Sequence, residues 1–270
     1  MNIYQEIVKA LKSAARKAEV RRIVSGSIYT AVEVVSGGGG RALGLAYVEG
    51  EGCRGRGAGG VEGGRCRRRG TLTVDGEPAL PASAKDLLAD FVEISEIKEG
   101  EGKGAEATVS TALASALAQL TLTEWETGDV LEQISVVEGE RVTVVGGFPF
   151  TPRLKEMGAE LSVFDRGFGD FDKVEMGTAL EEADVVIVTG ATITNGTLPD
   201  VLEKVGGARE VIILGPTTPL ISAAFADTSV TRLMGVIPTD IEGVIEVVAS
   251  GGGTRAFSRY VEKVSVSVGR

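Results

Sequence analysis

Histidine is absent from this chain of 270 residues. Without an imidazole there is no Ser-His-Asp triad, no histidine base and none of the common histidine-containing zinc sites. Asparagine occurs only as Asn2 and Asn195, cysteine only as Cys53 and Cys66, and glutamine is nearly as scarce. So few thermolabile residues beside many charges predict a thermophilic source. No apolar run approaches the ~18 residues of a membrane span. The N-terminus is charged every few residues and has no apolar segment of the secretory kind, so a cytoplasmic location is expected. Basic residues are outnumbered: the net charge is −10. That balance favours solubility and disfavours a nucleic-acid coat. One local reversal is the glycine-rich stretch Cys53 to Gly70, which carries Arg54, Arg56, Arg65, Arg67, Arg68 and Arg69 against Glu62.

What is present falls into two patterns. Ile3 to Ala18 repeats apolar residues at helical spacing. Arg22 to Val35 and Arg41 to Glu49 read as β runs joined by a glycine-rich turn, and Thr71 to Val74 as a short strand. Ser83 opens a helix through Ile94, and Ala105 to Leu120 is a second, alanine-rich one. Residues 1–122 are therefore predicted to be an α+β domain, with the Arg/Gly/Cys loop at 50–70. From Thr123 the chain alternates short buried strands with helices. The strands are Arg141 to Gly146, Ala159 to Asp165, Ala183 to Gly190, Arg209 to Gly215, Val230 to Ile237 and Val264 to Val268. Helices are predicted from Thr151, over Leu198 to Val205, from Thr218-Pro219 to Ala226, and over Asp240 to Ala249. Apolar β-branched runs of this kind belong to a parallel sheet covered on both faces, so residues 123–270 are predicted to be a Rossmann-like, doubly wound α/β domain.

In such a sheet, ligands bind beyond the carboxyl ends of the strands. The first loop there, after Val145, begins Gly146-Gly147 but lacks the GxGxxG fingerprint. Phe148 and Pro149 fill the space a pyrophosphate needs, which makes a dinucleotide oxidoreductase the weaker reading. Asp165, 19 residues after Gly146, stands where an acid binds a ribose hydroxyl. Its alternative is a turn cap paired with Arg166. The loop Gly215-Pro216-Thr217-Thr218 offers either an anion site at a helix start or simple capping by Thr218 ahead of Pro219. The loop Thr189-Gly190-Ala-Thr-Ile-Thr194-Asn195-Gly196-Thr197 holds one of the two asparagines. Asn195-Gly196 fits a left-handed turn with an N-cap by Asn195 or Thr197. The avoidance of asparagine elsewhere favours a second role, with the amide as donor and acceptor for a polar ligand.

The motifs VVGGFPF (144–150), VTGATITNGTL (188–198) and LGPTTPL (214–220), in this order on successive strand ends, resemble the DUF364 family, which carries a heavy-metal-chelation label. Asp165-Arg166 and LMGVIPTD (233–240) extend the resemblance, and IVSGSIYTAVE (23–33) and LGLAYV (43–48) look like the family's first strands. The resemblance implies an enolase N-terminal-like domain, a Rossmann-like domain and a site in the cleft between them. Two positions depart from the family: Gly147 stands where a histidine is common, and Thr108 to Gln119 keeps the alanines of its helix without the asparagines.

The leading expectation is a ligand-binding protein, or an enzyme of unassigned reaction, whose cleft holds a small polar or anionic ligand. The proposed binding residues are Gly146, Gly147, Asp165, Thr189, Gly190, Thr194, Asn195, Gly196, Thr197, Gly215, Pro216, Thr217 and Thr218. Acid–base groups within reach of such a cleft are Asp165 and Glu33, with Tyr29 and Thr30. No cofactor is specified. A metal-handling protein is the alternative the family label suggests. Cys53 and Cys66 are its weak candidate ligands, and a disulfide or two reactive thiols is the stronger reading for them. A scaffold docking an acidic partner through the Arg-rich loop is the third. No membrane partner is expected, nucleic acid is disfavoured, and a homodimer is compatible with the sequence.

Overall fold

Asn2 fixes where the first helix begins: its side chain accepts the Tyr4 N–H, and α1 runs over Ile3–Ala15. Ile3, Ile7, Leu11 and Ala15 recur at i, i+4 and are all buried. The helix stops short of the predicted Ala18, which instead begins a strand. The predicted single run Arg22 to Val35 is two strands, β1 (Ala18–Ser25) and β2 (Tyr29–Ser36), turned at Gly26, whose N–H donates to Tyr29 O. The glycine-rich turn then joins β2 to β3 (Arg41–Tyr47), as predicted, giving an antiparallel sheet ordered β1-β2-β3. The computed structural model describes residues 2–48, 83–89, 91, 105–166 and 171–269. The predicted strand at Thr71 to Val74 and both cysteines lie outside them, as does most of Ser83 to Ile94 beyond α2 (Ala84–Ala89).

Helix α3 (Ala105–Thr121) lies on one face of this small sheet. Its Ala112 and Ala116 meet Gly44 of β3, where a Cβ would overlap Ala112 O and the Ala116 N–H. Methyl side chains and one missing Cβ together allow this close approach.

The second half opens with β4 (Glu126–Thr127) and α4 (Val130–Gln133), the latter begun by a capping box of Asp129 and Glu132. There follow β5 (Arg141–Val145), α5 (Thr151–Glu156), β6 (Glu160–Phe164), α6 (Lys173–Glu182), β7 (Val185–Thr189), α7 (Ala191–Thr194), α8 (Leu198–Lys204) and β8 (Glu210–Leu214). The chain ends with α9 (Ser222–Phe225), β9 (Arg232–Pro238), α10 (Ile241–Ala249), α11 (Thr254–Phe257) and β10 (Val261–Ser267). The sheet order is β4-β10-β9-β8-β7-β5-β6, parallel from β9 to β6, with β10 and β4 antiparallel at the other edge. Val186, Val188 and Ile213 share a core with α6 and α8 residues, while Val185, Ile187 and Ile212 pack with Val130, Ile134 and Leu154. Both faces are covered, which is why these strands carry no alternation. One predicted helix shrinks: the chain from Thr218 is not helical until Ser222, and Ile221 is the N-cap. Two prolines near its start and backbone turns at Gly215 and Pro219 hold the segment in another path.

The remaining face of the small sheet is covered by the second half. Val24, Tyr29, Ala31, Leu43 and Leu45 pack against Val244, Ile245, Val248 and Phe257. Glu33 of β2 lies on this same side and is fully buried. Its carboxylate accepts from Arg22 at 2.8 Å, Arg41 at 2.7 Å and Arg21 at 3.3 Å. Arg22 and Arg41 also hold Glu242 of α10, at 2.9 and 2.7 Å. These bonds bring the exposed Glu242 carboxyl down to about 2 from an ordinary 4.5. A carboxyl depressed in the folded state adds stability that is whole above its unfolded value and fades as pH falls towards the folded one. Urea midpoints should therefore decline between about pH 4.5 and 2, and Glu242→Gln should flatten part of that decline.

Candidate functional site

Counted along this half of the chain, the parallel strands run 2-1-3-4-5. The chain passes from β5 outward to β6, then returns past β5 to β7. Strand order thus reverses between β5 and β7, and at such a switch point the loops leaving two neighbouring strands diverge and open a crevice. The loops there are the first and second of the sequence motifs, VVGGFPF after β5 and VTGATITNGTL after β7.

Adjacent loops touch in succession along this edge. Gly147 packs so closely on Asp165, the residue after β6, that a Cβ would overlap Asp165 Oδ2. A Cβ on Gly146 would lie 2.7 Å from Thr189 Cβ at the end of β7. One on Gly190 would lie 2.7 Å from Thr218 Oγ1. Gly146, Gly147, Asp165, Thr189, Gly190 and Thr218 therefore form one continuous rim across β6, β5, β7 and the loop after β8. Residues 167–170, in the middle of the second loop, lie outside the described residues.

Asn195 closes α7. Its Oδ1 accepts the Thr197 N–H at 3.1 Å and the Thr197 hydroxyl at 2.7 Å, and Gly196 takes φ +71°. That geometry is a left-handed turn, and glycine adopts it without the Cβ clash that other residues meet. Thr197 sits at the N-cap of α8 without a side-chain cap bond, so the asparagine organises the turn from outside the helix. Thr218 likewise is not a helix cap, because α9 begins four residues later. Its Oγ1 and that of Thr194 are buried without a hydrogen-bond partner.

The backbone amides of this edge are largely used within the chain. Gly146 donates to Phe164 O, Gly190 to Leu214 O, Gly215 to Met234 O and Thr218 to Gly215 O. Ile193, Asn195, Gly196 and Thr197 all donate to carbonyls of their own loop. What the edge offers beside them is side chain, and the hydroxyls of Thr194 and Thr218 are its buried atoms without a hydrogen-bond partner among the described residues.

Among the described residues, two hydrogen bonds tie the first half of the chain to the site. Thr217 Oγ1 accepts the Tyr47 N–H at the end of β3, at 3.0 Å. Tyr4 of α1 donates its hydroxyl to Ile193 O in α7, at 2.9 Å. Burial, with the negative charge of Asp200, pushes the Tyr4 hydroxyl far above its usual range, so it stays a neutral donor. Sequence reasoning had no access to either contact, because Tyr4 reads simply as a core position of α1. The proposed acid–base residues are engaged elsewhere. Glu33 belongs to the arginine network, Tyr29 hydrogen-bonds Thr254 at 2.8 Å, and Thr30 donates to Thr108 at 3.3 Å. Tyr29 and Thr30 point to opposite sides of β2, Tyr29 towards Phe257 and Thr30 towards Thr108, so the two do not converge on one site.

The donor set does not fit a soft heavy metal. The chain has no histidine, and the described residues contain no cluster of three or more potential metal-ligating Cys, Asp or Glu side chains. Of the edge residues named above, only Asp165 is a carboxylate, among hydroxyls and an amide that bind soft metals poorly. Among the described residues no helix is long and apolar enough to cross a membrane.

The fold is similar to that of solved DUF364 structures. One is a DUF364 protein of unknown function from Pyrococcus horikoshii, with 24% identity and a TM-score of 0.74 over 98% of this chain and 100% of that one. Another, from Desulfitobacterium hafniense DCB-2 and likewise a DUF364 protein of unknown function, has 20% identity and a TM-score of 0.65, covering 97% and 99%. No curated protein matches the sequence significantly. The signature of DUF364, described as "Putative heavy-metal chelation", matches residues 129–267, from the capping box of α4 to the end of β10, and this chain belongs to that family.

Proposed function

We propose that the crevice at the β5/β7 switch point binds a small polar ligand, and that the protein is a ligand-binding protein or an enzyme acting on that ligand. The observation that carries the reading is the continuous rim of Gly147 on Asp165, Gly146 on Thr189 and Gly190 on Thr218. It joins four strand ends where doubly wound sheets hold their ligands. The buried, unpartnered hydroxyls of Thr194 and Thr218 support it. An unpaired buried hydroxyl costs about 1–3 kcal/mol, and native proteins keep one where water or a ligand completes it.

Variants of Asn195 test the reading. Asn195→Asp keeps the acceptor that Thr197 uses and loses the amide N–H groups, whereas Asn195→Ala loses both. Wild type would be screened by thermal shift against nucleosides, sugars, sugar phosphates and dicarboxylates. The compound found should bind Asn195→Asp at least ~10-fold more weakly, read against that variant's own ligand-free melting temperature. Asn195→Ala should lose the same binding and also about 1 kcal/mol of stability, the worth of a turn or cap hydrogen bond. If both variants bind that compound as wild type does, the crevice reading fails.

A further inference from the structure

A groove of about 720 Å³ is separate from the switch-point rim, in that none of the rim residues lines it. It lies between α1, the segment entering β4, the start of α9 and the outer edge of β10. Trp125, the chain's single tryptophan, stands on its wall and is 44% exposed. Indole is costly to leave in water, and this ring stands just before a two-residue strand, outside the hydrophobic cores of the described residues. Glu124 and Glu126 flank it, and among the described residues no Lys or Arg lines the groove. Glu126 is drawn to Arg232 at 3.5 Å, while Glu124 makes no ion pair among the described residues. The hydroxyls of Ser222 and Ser267 complete the polar side, with Ile221 on the apolar one.

We infer that this groove is a second binding site and takes an alkylammonium ligand. The chemistry follows from three features together. Tryptophan offers the best aromatic face for an organic cation. The unpaired Glu124 supplies the opposite charge beside it. The charged side chains among the described lining residues are Glu124 and Glu126, so the groove selects against phosphates and carboxylic acids. A volume of this size suits a small molecule.

The single tryptophan makes the site its own reporter. Choline would be titrated into the full chain at constant ionic strength, following Trp125 fluorescence and, in parallel, heat. Its neutral isostere, 3,3-dimethylbutan-1-ol, has the same shape without the charge. Choline should give saturable quenching and the isostere none. Glu124→Gln should weaken choline about fivefold, the size of one solvent-exposed charge contact. Trp125→Leu, read by calorimetry, should weaken it about tenfold. Both positions are exposed, so neither variant disturbs a core. No saturable response to choline overturns the inference. Equal binding of the isostere, or unchanged affinity in Glu124→Gln, overturns it as well.

Discussion

Gly44→Ala is expected to lower the unfolding free energy by about 3 kcal/mol, a large effect for one added methyl group. The added carbon would overlap Ala112 O and the Ala116 N–H, both of them backbone atoms of α3. A flexible side chain can swing away from such a contact, but a helix backbone cannot. Relief requires α3 to lift off β3, and that opens the layer holding Ala112, Leu113, Ala116 and Leu117, all buried. Cavities then add to the overlap. Urea unfolding of Gly44→Ala beside Gly207→Ala measures this. Nothing lies within 4 Å of where a Cβ at Gly207 would project, so that variant should stay within ~0.5 kcal/mol of the parent. Equal midpoints for the two would show that α3 does not sit where the close approach places it.

Glu33→Ala should cost about 2 kcal/mol, less than the ~3–5 kcal/mol of a wholly buried pair, because the arginines it leaves are partly exposed and water screens them. Glu33 is the fully buried member, and Arg21, Arg22 and Arg41 all converge on it. Its loss leaves three guanidiniums facing one another, with only the exposed Glu242 to offset them. Glu33→Gln tests the charge alone. It keeps the shape and one acceptor, yet it should recover only part of the loss, because its amide N–H groups point at donors. Equilibrium unfolding at pH 7 with all three proteins decides the matter. Full stability in Glu33→Gln would mean that shape rather than charge holds the cluster.

Much of the second half was legible because physics writes parallel sheets plainly. RVTVV, VVIVT and EVIIL are short, apolar and β-branched, and each is followed by glycine and hydroxyl residues that leave the strand. The switch-point rim could be anticipated for the same reason, since its loops mark themselves by composition. The hydroxyl-rich segment after Gly215 was harder. Thr218-Pro219 is a good helix start by local rules, and only the structure shows the chain taking another path before Ser222. β1 and β2 merged in the sequence because the turn at Gly26 carries serine and isoleucine rather than a stronger breaker. Glu33 looked like a chemical group facing a cleft, because an acid in a strand gives no sign of the three arginines that meet it. Two of these are close in sequence, but Arg41 comes from the next strand and Glu242 from more than 200 residues further on.

The sheet of β1, β2 and β3 has α3 on one side and α10 on the other, and α10 arrives only after most of the chain has been made. During synthesis, therefore, the first strands emerge with Tyr29, Ala31 and Leu45 uncovered and must wait for residues 241–249 before that side closes. For that interval the nascent chain shows an apolar strand surface with a buried-type glutamate at its centre. The charge of Glu33 and its three arginines would keep that surface wet and discourage it from pairing with other chains, a gatekeeping role served before the protein is complete.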